Sequence, residues 1–291
     1  MRFNPSNPLL VVLAIAAMLA AIAAMMVVRG EADRGLDRVV AGEAREGGLT
    51  LALAPAVAEV SITEGRVPGR PLVVIDPGHG GRDGGAPGAS GRHVEKDVTL
   101  TIARELRDEL ARRGRVRVAL TRDGDATLSL NQRAAIARRL GAALFLSVHA
   151  DSAPNPGARG ATVYSLSEVA SDADAALLAA RQNGEEAVAS EPEPSLRTLL
   201  ADLAARDEMA MSADFALRLL REASGSVTFR PEPHRFAAFR VLRRSGAPAV
   251  LFEAGYMSSA EDEAMLLDPV QRTRMVEALA RAIEAQAVVG G

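Results

Sequence analysis

The chain has 291 residues, enough for one large domain or two small ones, and its formal net charge of −3 comes without the basic block that nucleic acid demands. It has no cysteine, which excludes disulfides and thiolate metal sites and restricts any metal to nitrogen and oxygen ligands. Lys96 is the single lysine, so arginine supplies every other side-chain positive charge, a compositional bias rather than a binding surface.

Leu9 to Val28 is an uninterrupted apolar run between Arg2 and Arg29. At 1.5 Å per residue, roughly 30 Å of helix spans a bilayer core, longer than the ~7–15 apolar residues of a cleavable signal. Residues 1–28 therefore read as a signal anchor that stays attached, although "AIAA" near Ile22 offers a cleavage site. Residues 29–70 read as a linker with one short strand at Leu49–Leu53. Residues 71–289 read as one domain.

Within that domain "LVVID" (72–76) is a buried strand that runs into Pro-Gly. Asp97 to Arg113 carries apolar residues at Val98, Ile102, Leu106 and Leu110, a helix stripe with Asp97 as cap. "VRVAL" (116–120) is a second strand, and Ser129 caps a helix that runs to Leu140. "ALFLSV" (143–148) and "ATVYSL" (161–166) follow as strands. A helical insertion occupies 168–224, with "FRVL" (239–242) and "APAVLFE" (247–253) as the last two strands. Glu261 to Ala287 closes the domain as helix. Alternation of this kind predicts an α/β fold: a single, mostly parallel, doubly covered mixed sheet of about six strands with surrounding helices, preceded by an N-terminal membrane helix.

Ligands of open α/β sheets gather at the carboxyl ends of strands. His79 follows strand 72–76, His149 follows strand 143–148, Glu253 ends strand 247–253, and Glu95 lies in the loop before the first long helix. Two imidazoles and carboxylates in such places suit zinc, with an open position left for water. Gly78, Gly80 and Gly81 let the strand turn sharply and let substrate approach the backbone. "GHGGRD" lacks the third glycine of a dinucleotide fingerprint, and no Gly-Lys-Ser/Thr follows. His93 and His234 sit in polar loops and read as surface residues, and Ser147 reads as a strand residue rather than a nucleophile.

The segments "VVIDPGHGGRDGGAPG", "EKDVTLTIARELRDEL", "VALTRDGDATLSLNQRAAIAR", "ALFLSVHADS" and "APAVLFEAGYMSS" resemble, in order and spacing, the zinc-dependent N-acetylmuramoyl-L-alanine amidases that trim peptidoglycan. The resemblance covers about Leu72 to Ala287. It implies His79, Glu95 and His149 as zinc (Zn2+) ligands and Glu253 as the catalytic base. It implies hydrolysis of the amide between the lactyl group of N-acetylmuramic acid and L-alanine, in wall remodelling or daughter-cell separation. Tyr256 and Ser259 depart from the phenylalanine and asparagine commoner in the family. The alternatives are a degenerate amidase fold that only binds wall or a partner, which needs a broken ligand set, and a zinc carboxypeptidase of other specificity.

The resemblance places the catalytic domain in the periplasm, anchored at the inner membrane or free if the leader is cut. Arg29, Arg34 and Arg38 after the apolar run, against Arg2 before it, argue weakly the other way. Glu168 to Glu208 holds ten carboxylates against three arginines. Asp172 to Ser190 reads as one helix, "EPEP" (191–194) interrupts it, and Ser195 caps another to about Ala223. Relatives in cell division are held shut by a helix here and opened by LytM-domain activators. The resemblance thus offers Glu185 and Glu186 as blocking residues, with Gln182 standing where the family has a glutamate. The other reading is a merely solvated acidic helix.

Overall fold

The computed structural model describes residues 60–152, 157–184 and 196–289. The apolar run 9–28, the strand expected at Leu49–Leu53, and Glu185 and Glu186 lie outside the described residues. Among the described residues no helix is long and apolar enough to cross a membrane.

The described strands are β1 (Ile62–Thr63), β2 (Leu72–Pro77), β3 (Arg117–Leu120), β4 (Leu144–His149), β5 (Ala161–Leu166), β6 (Phe229–Ala237) and β7 (Ala249–Glu253). They form one sheet in the order β1-β3-β2-β4-β7-β5-β6. β3, β2, β4 and β7 run parallel to one another, whereas β5 is antiparallel to β7 and β1 antiparallel to β3. The helices are α1 (Glu95–Arg113), α2 (Leu130–Leu140), α3 (Ala173–Asn183), α4 (Leu196–Ala223), α5 (Arg240–Arg243), α6 (Ala260–Leu267) and α7 (Pro269–Val289).

Because strand side chains alternate between faces, each central strand feeds two cores. Val73, Ile75, Leu144, Leu146 and Val148 pack with the α1 stripe and with α4 and α7. Leu72, Val74, Phe145 and Leu251 face the opposite side, with Ile136 of α2, Leu178 of α3 and Val241 of α5. Val98, Ile102, Leu106 and Leu110 are all buried, each contributing about 1.5–3 kcal/mol relative to exposure. Helices thus cover both faces, as the element pattern predicts.

Four local expectations change. Residues 239–242 are not a strand: Phe239 precedes a helical turn at Arg240–Arg243. The strand lies earlier, at Phe229–Ala237, where Pro231 and Pro233 are tolerated because they fall in the irregular stretch between the Phe229 and His234 pairings of an edge strand. β1 joins the sheet from within the segment read as linker. The first long helix begins at Glu95 with Val94 at its cap and no side-chain cap bond, so Glu95 belongs to the helix rather than to the loop before it. The last helix is two, with Ser259 capping α6 and Pro269 opening α7 after Asp268. Ser129 does cap α2, in a capping box with Gln132. α3, Ala173–Asn183, is capped by Asp172 as expected at its start, and the remainder of the helix expected to Ser190 lies outside the described residues.

Candidate metal centre and active site

β2, β4 and β7 are adjacent and parallel, so their carboxyl ends share one edge of the sheet. That edge brings His149 and Glu253 into register on neighbouring strands and puts His79 two residues past β2. Glu95 arrives from the first turn of α1.

The glycine-rich loop is shaped around these side chains. A Cβ on Gly78 would lie 2.3 Å from Cε1 of His149. One on Gly85, whose φ is +67°, would lie 2.6 Å from Glu95 Oε2 and 2.7 Å from His79 Cδ2. His79 itself adopts a φ of 60°, a left-handed conformation unusual for a residue with a side chain.

The donors converge. Glu95 is fully buried; its Oε1 lies 3.0 Å from His149 Nδ1 and its Oε2 3.1 Å from His79 Nε2. Backbone amides of Ala86 and Ala150 donate to the same two oxygens and fix the carboxylate. One ligand atom from each of His79, Glu95 and His149 lies within 4.8 Å of the others. His79 Nδ1 pairs with Asp83 Oδ2 at 2.8 Å, which turns Nε2 inward. His79 Nε2, although close to Glu95 Oε2, is buried without a well-formed hydrogen bond among the described residues. Burial alone would lower the His79 pKa, but the Glu95 and Asp83 carboxylates outweigh it and raise it to about 9. Burial would likewise raise that of Glu95, and the two imidazoles pull it down instead. Two imidazoles and one carboxylate with an orphaned inward nitrogen fit a zinc ion, and sites of this composition keep a position open for chemistry.

Glu253 is fully buried. Its Oε2 accepts the Asp151 amide at 3.0 Å, while Oε1 has no hydrogen-bond partner among the described residues. Burial, then Glu95 and Asp151, push its pKa well above the usual carboxylate range. Asp151 is shifted upward too, by burial and then Glu95. Arg181, near the end of α3, lies 3.1 Å from Asp151 and donates to the Ser152 carbonyl.

Several residues here escape sequence reasoning. Asp76, at the end of β2, accepts from Thr121, Arg133 and Ser147. Burial would raise its pKa, but Arg133 outweighs this and holds the carboxyl below its ordinary value. Asp76 was visible only as a carboxylate closing an apolar run, which signals a buried partner without naming it. Asp83, Arg122, Arg133 and Arg181 carried no signal. Ser147 is a buried strand residue, bonded to Asp76 as described, and His93 is exposed. His234 is on β6 rather than in a loop, half-buried, with Nε2 2.8 Å from Ser165 Oγ, and away from the donor cluster. A cavity of about 320 Å³ opens beside the donors, lined among others by His79, His149, Ser129, Arg133, Gln182 and Asn183.

Fold and donors define a class: an α/β protein whose sheet edge gathers two histidines and a carboxylate that could hold a metal ion, with a second buried carboxylate beside them. Residues 73–285 match the family described as N-acetylmuramoyl-L-alanine amidase, and the chain belongs to that family. It is 36% identical over 220 residues to the amidase AmiA of Escherichia coli, covering 74% of this chain and 75% of that one. It is 33% identical over 224 residues to AmiC of Neisseria meningitidis, covering 76% of this chain and 53% of the relative. The structure of the amidase AmiC2 of Nostoc punctiforme matches with a TM-score of 0.53 at 32% identity, over 74% of this chain and 96% of that one.

Proposed function

We propose that the protein hydrolyses the amide between N-acetylmuramic acid and L-alanine in peptidoglycan, with zinc held by His79, Glu95 and His149 and with Glu253 as general base. The observation that carries this is the convergence of the three donors at the sheet edge that also bears Glu253 Oε1, a carboxylate oxygen with no hydrogen-bond partner among the described residues. When bound, zinc polarises the scissile carbonyl and lowers the pKa of a water to roughly 7.

The chain's own residues do the rest. Asp83 fixes the His79 ring so that Nε2 faces inward. The Ala86 and Ala150 amides hold Glu95 open to both imidazoles. The Asp151 amide fixes Glu253 Oε2, so Oε1 takes the proton of the attacking water and passes it to the leaving amine. The intact donor set disfavours a degenerate wall-binding protein.

Purified sacculi incubated with the zinc-loaded protein should release stem peptides with a free L-alanine amino terminus, and a chelator should stop release. Products cut within the peptide would support the carboxypeptidase instead, and zinc-independent binding without release the degenerate fold.

The substrate places the catalytic domain on the periplasmic face of the inner membrane, with residues 9–28 as anchor. The acidic insertion serves as a restraint released by a LytM-domain activator, with Glu185 and Glu186 as blocking groups. In support, Gln182 and Asn183, just before them, already line the cavity beside the donors. Deleting Asp172 to Pro194 behind a short Gly-Ser bridge should raise sacculus hydrolysis without any activator. Unchanged or lower hydrolysis by a folded, zinc-loaded deletion protein would retire this role.

A further inference from the structure

Two buried arginines reach the metal loop, one from α2 and one from just past β3. Arg133, on α2, donates from Nη1 to the Pro77 carbonyl at 2.7 Å and from Nη2 to the His79 carbonyl at 2.6 Å. Its Nη1 also meets Asp76 at 2.8 Å, and its Nε the Leu128 carbonyl at 3.2 Å. Arg122, just past β3, donates from Nη2 to the Gly78 carbonyl at 2.7 Å and to the Lys96 carbonyl at 2.9 Å. Its Nε and Nη1 take the Pro77 and Gly124 carbonyls. Both residues are almost wholly buried, at 4% exposure each.

Two guanidiniums against one fully buried carboxylate is a poor arrangement for stability alone, since buried charges are costly unless paired. Burial and then the charge of Arg133 lower the Arg122 pKa to about 10, a sign of that cost. The donors go instead to successive carbonyls, 77, 78 and 79, of the segment that ends in His79. Arg122 also joins the carbonyl before His79 to the one after Glu95, and so bridges two donor-bearing segments that are 16 positions apart in sequence. His79 needs this support, because its left-handed backbone costs of order 1–3 kcal/mol unless its surroundings impose it.

We infer that Arg133 and Arg122 are positioning residues: Arg133 holds the His79 backbone in its left-handed conformation, and Arg122 sets the spacing of His79 from Glu95. Together they prepare the donor set before metal arrives. The inference rests on the zinc reading above. Lysine at either position keeps the charge but cannot span two carbonyls with a planar fork.

The test is zinc affinity, measured by chelator competition on the full chain, alongside thermal melting of the zinc-free protein. Arg133→Lys should fold and bind zinc roughly 10–100-fold more weakly, the usual effect of losing a group that orients a ligand. In a His79→Ala background the same change should alter the residual affinity less than about twofold, because the ligand whose backbone Arg133 positions is gone. A merely structural role would lower the zinc-free melting temperature and leave zinc affinity of the folded protein unchanged, or would act equally in both backgrounds. Either outcome overturns the inference. Should Arg133→Lys not fold, Arg122→Lys, which removes no partner from a carboxylate, decides: about tenfold weaker zinc binding supports the inference, and wild-type affinity overturns it. Failure of the zinc reading looks different, since the wild-type protein would then bind no zinc that His79→Ala removes.

Discussion

The two banks of the site are built differently. On the bank of β2, the loop 77–79 is fixed by donors from Arg133, Arg122 and Thr99, all buried, and by the fully buried Asp76. On the opposite bank the end of α3 is tied by side chains nearer the surface. Arg181, with a side chain 39% exposed, reaches Asp151 and Ser152. Asn183 bonds the Ala238 carbonyl and the Arg240 amide. An exposed ion pair is worth about 0–1 kcal/mol, whereas breaking a buried pair costs about 3–5 kcal/mol. The loop that presents the donors is therefore braced from within, whereas the end of α3, beyond its buried Ala175, Leu178 and Ala179, is held by partly exposed contacts. Chemistry needs the first property, and a restraint over the site needs the second.

The largest effect is expected where the banks meet. Glu253→Gln should retain zinc while the hydrolysis rate falls by roughly 10²–10⁴, the usual worth of a general base. Metal analysis beside a sacculus assay reads both numbers.

Asp76→Asn attacks the β2 bank directly, leaving Arg133 charged and without its carboxylate. It should destabilise the zinc-free protein by about 3–5 kcal/mol in denaturant titration. The pH dependence follows from the sign of the shift. The folded pKa of Asp76 lies below its unfolded value, so its stabilisation is present above about pH 4 and lost as pH falls through the folded pKa. The acid limb of stability should accordingly be shallower in Asp76→Asn, and an unchanged limb would show that other carboxylates dominate it.

Gly85→Ala puts a methyl group against Glu95 and His79 at a φ of +67°. Zinc affinity should drop roughly 10–100-fold, at a stability loss of about 1–3 kcal/mol. Isothermal titration and melting separate the two.

Arg181→Ala sharpens the comparison from the other side. Stability should change by less than about 1 kcal/mol, and hydrolysis of sacculi should rise as the end of α3 loosens. A fall in activity would mean that Arg181 serves the Asp151–Glu253 pair rather than the restraint.

The sequence carried the frame of the β2 bank and hid its bracing. Strands such as 72–77 and 144–149 are legible because buried parallel strands are continuous apolar runs. β6 is not, because Pro231 and Pro233 mask a strand that only an edge position tolerates. His79, His149 and Glu253 were legible as polar residues at strand ends, where open sheets bind ligands. Glu95 stood out through its place before a helix and through resemblance. Arg133 was invisible for a physical reason: on an arginine-rich helix such as "LNQRAAIARRL" no spacing tells which guanidinium turns inward. That depends on Asp76, 57 positions away. Arg122 bonds backbone carbonyls, which every sequence offers everywhere.

X-ray absorption spectroscopy of the zinc-loaded protein, compared with Glu253→Gln, tests the central claim most directly. The geometry predicts two imidazole nitrogens with oxygen donors around zinc, and the same ligand shell in Glu253→Gln. A single imidazole in the wild-type spectrum, or an oxygen donor lost in Glu253→Gln, would contradict the assignment of His79, Glu95 and His149 as ligands and Glu253 as base.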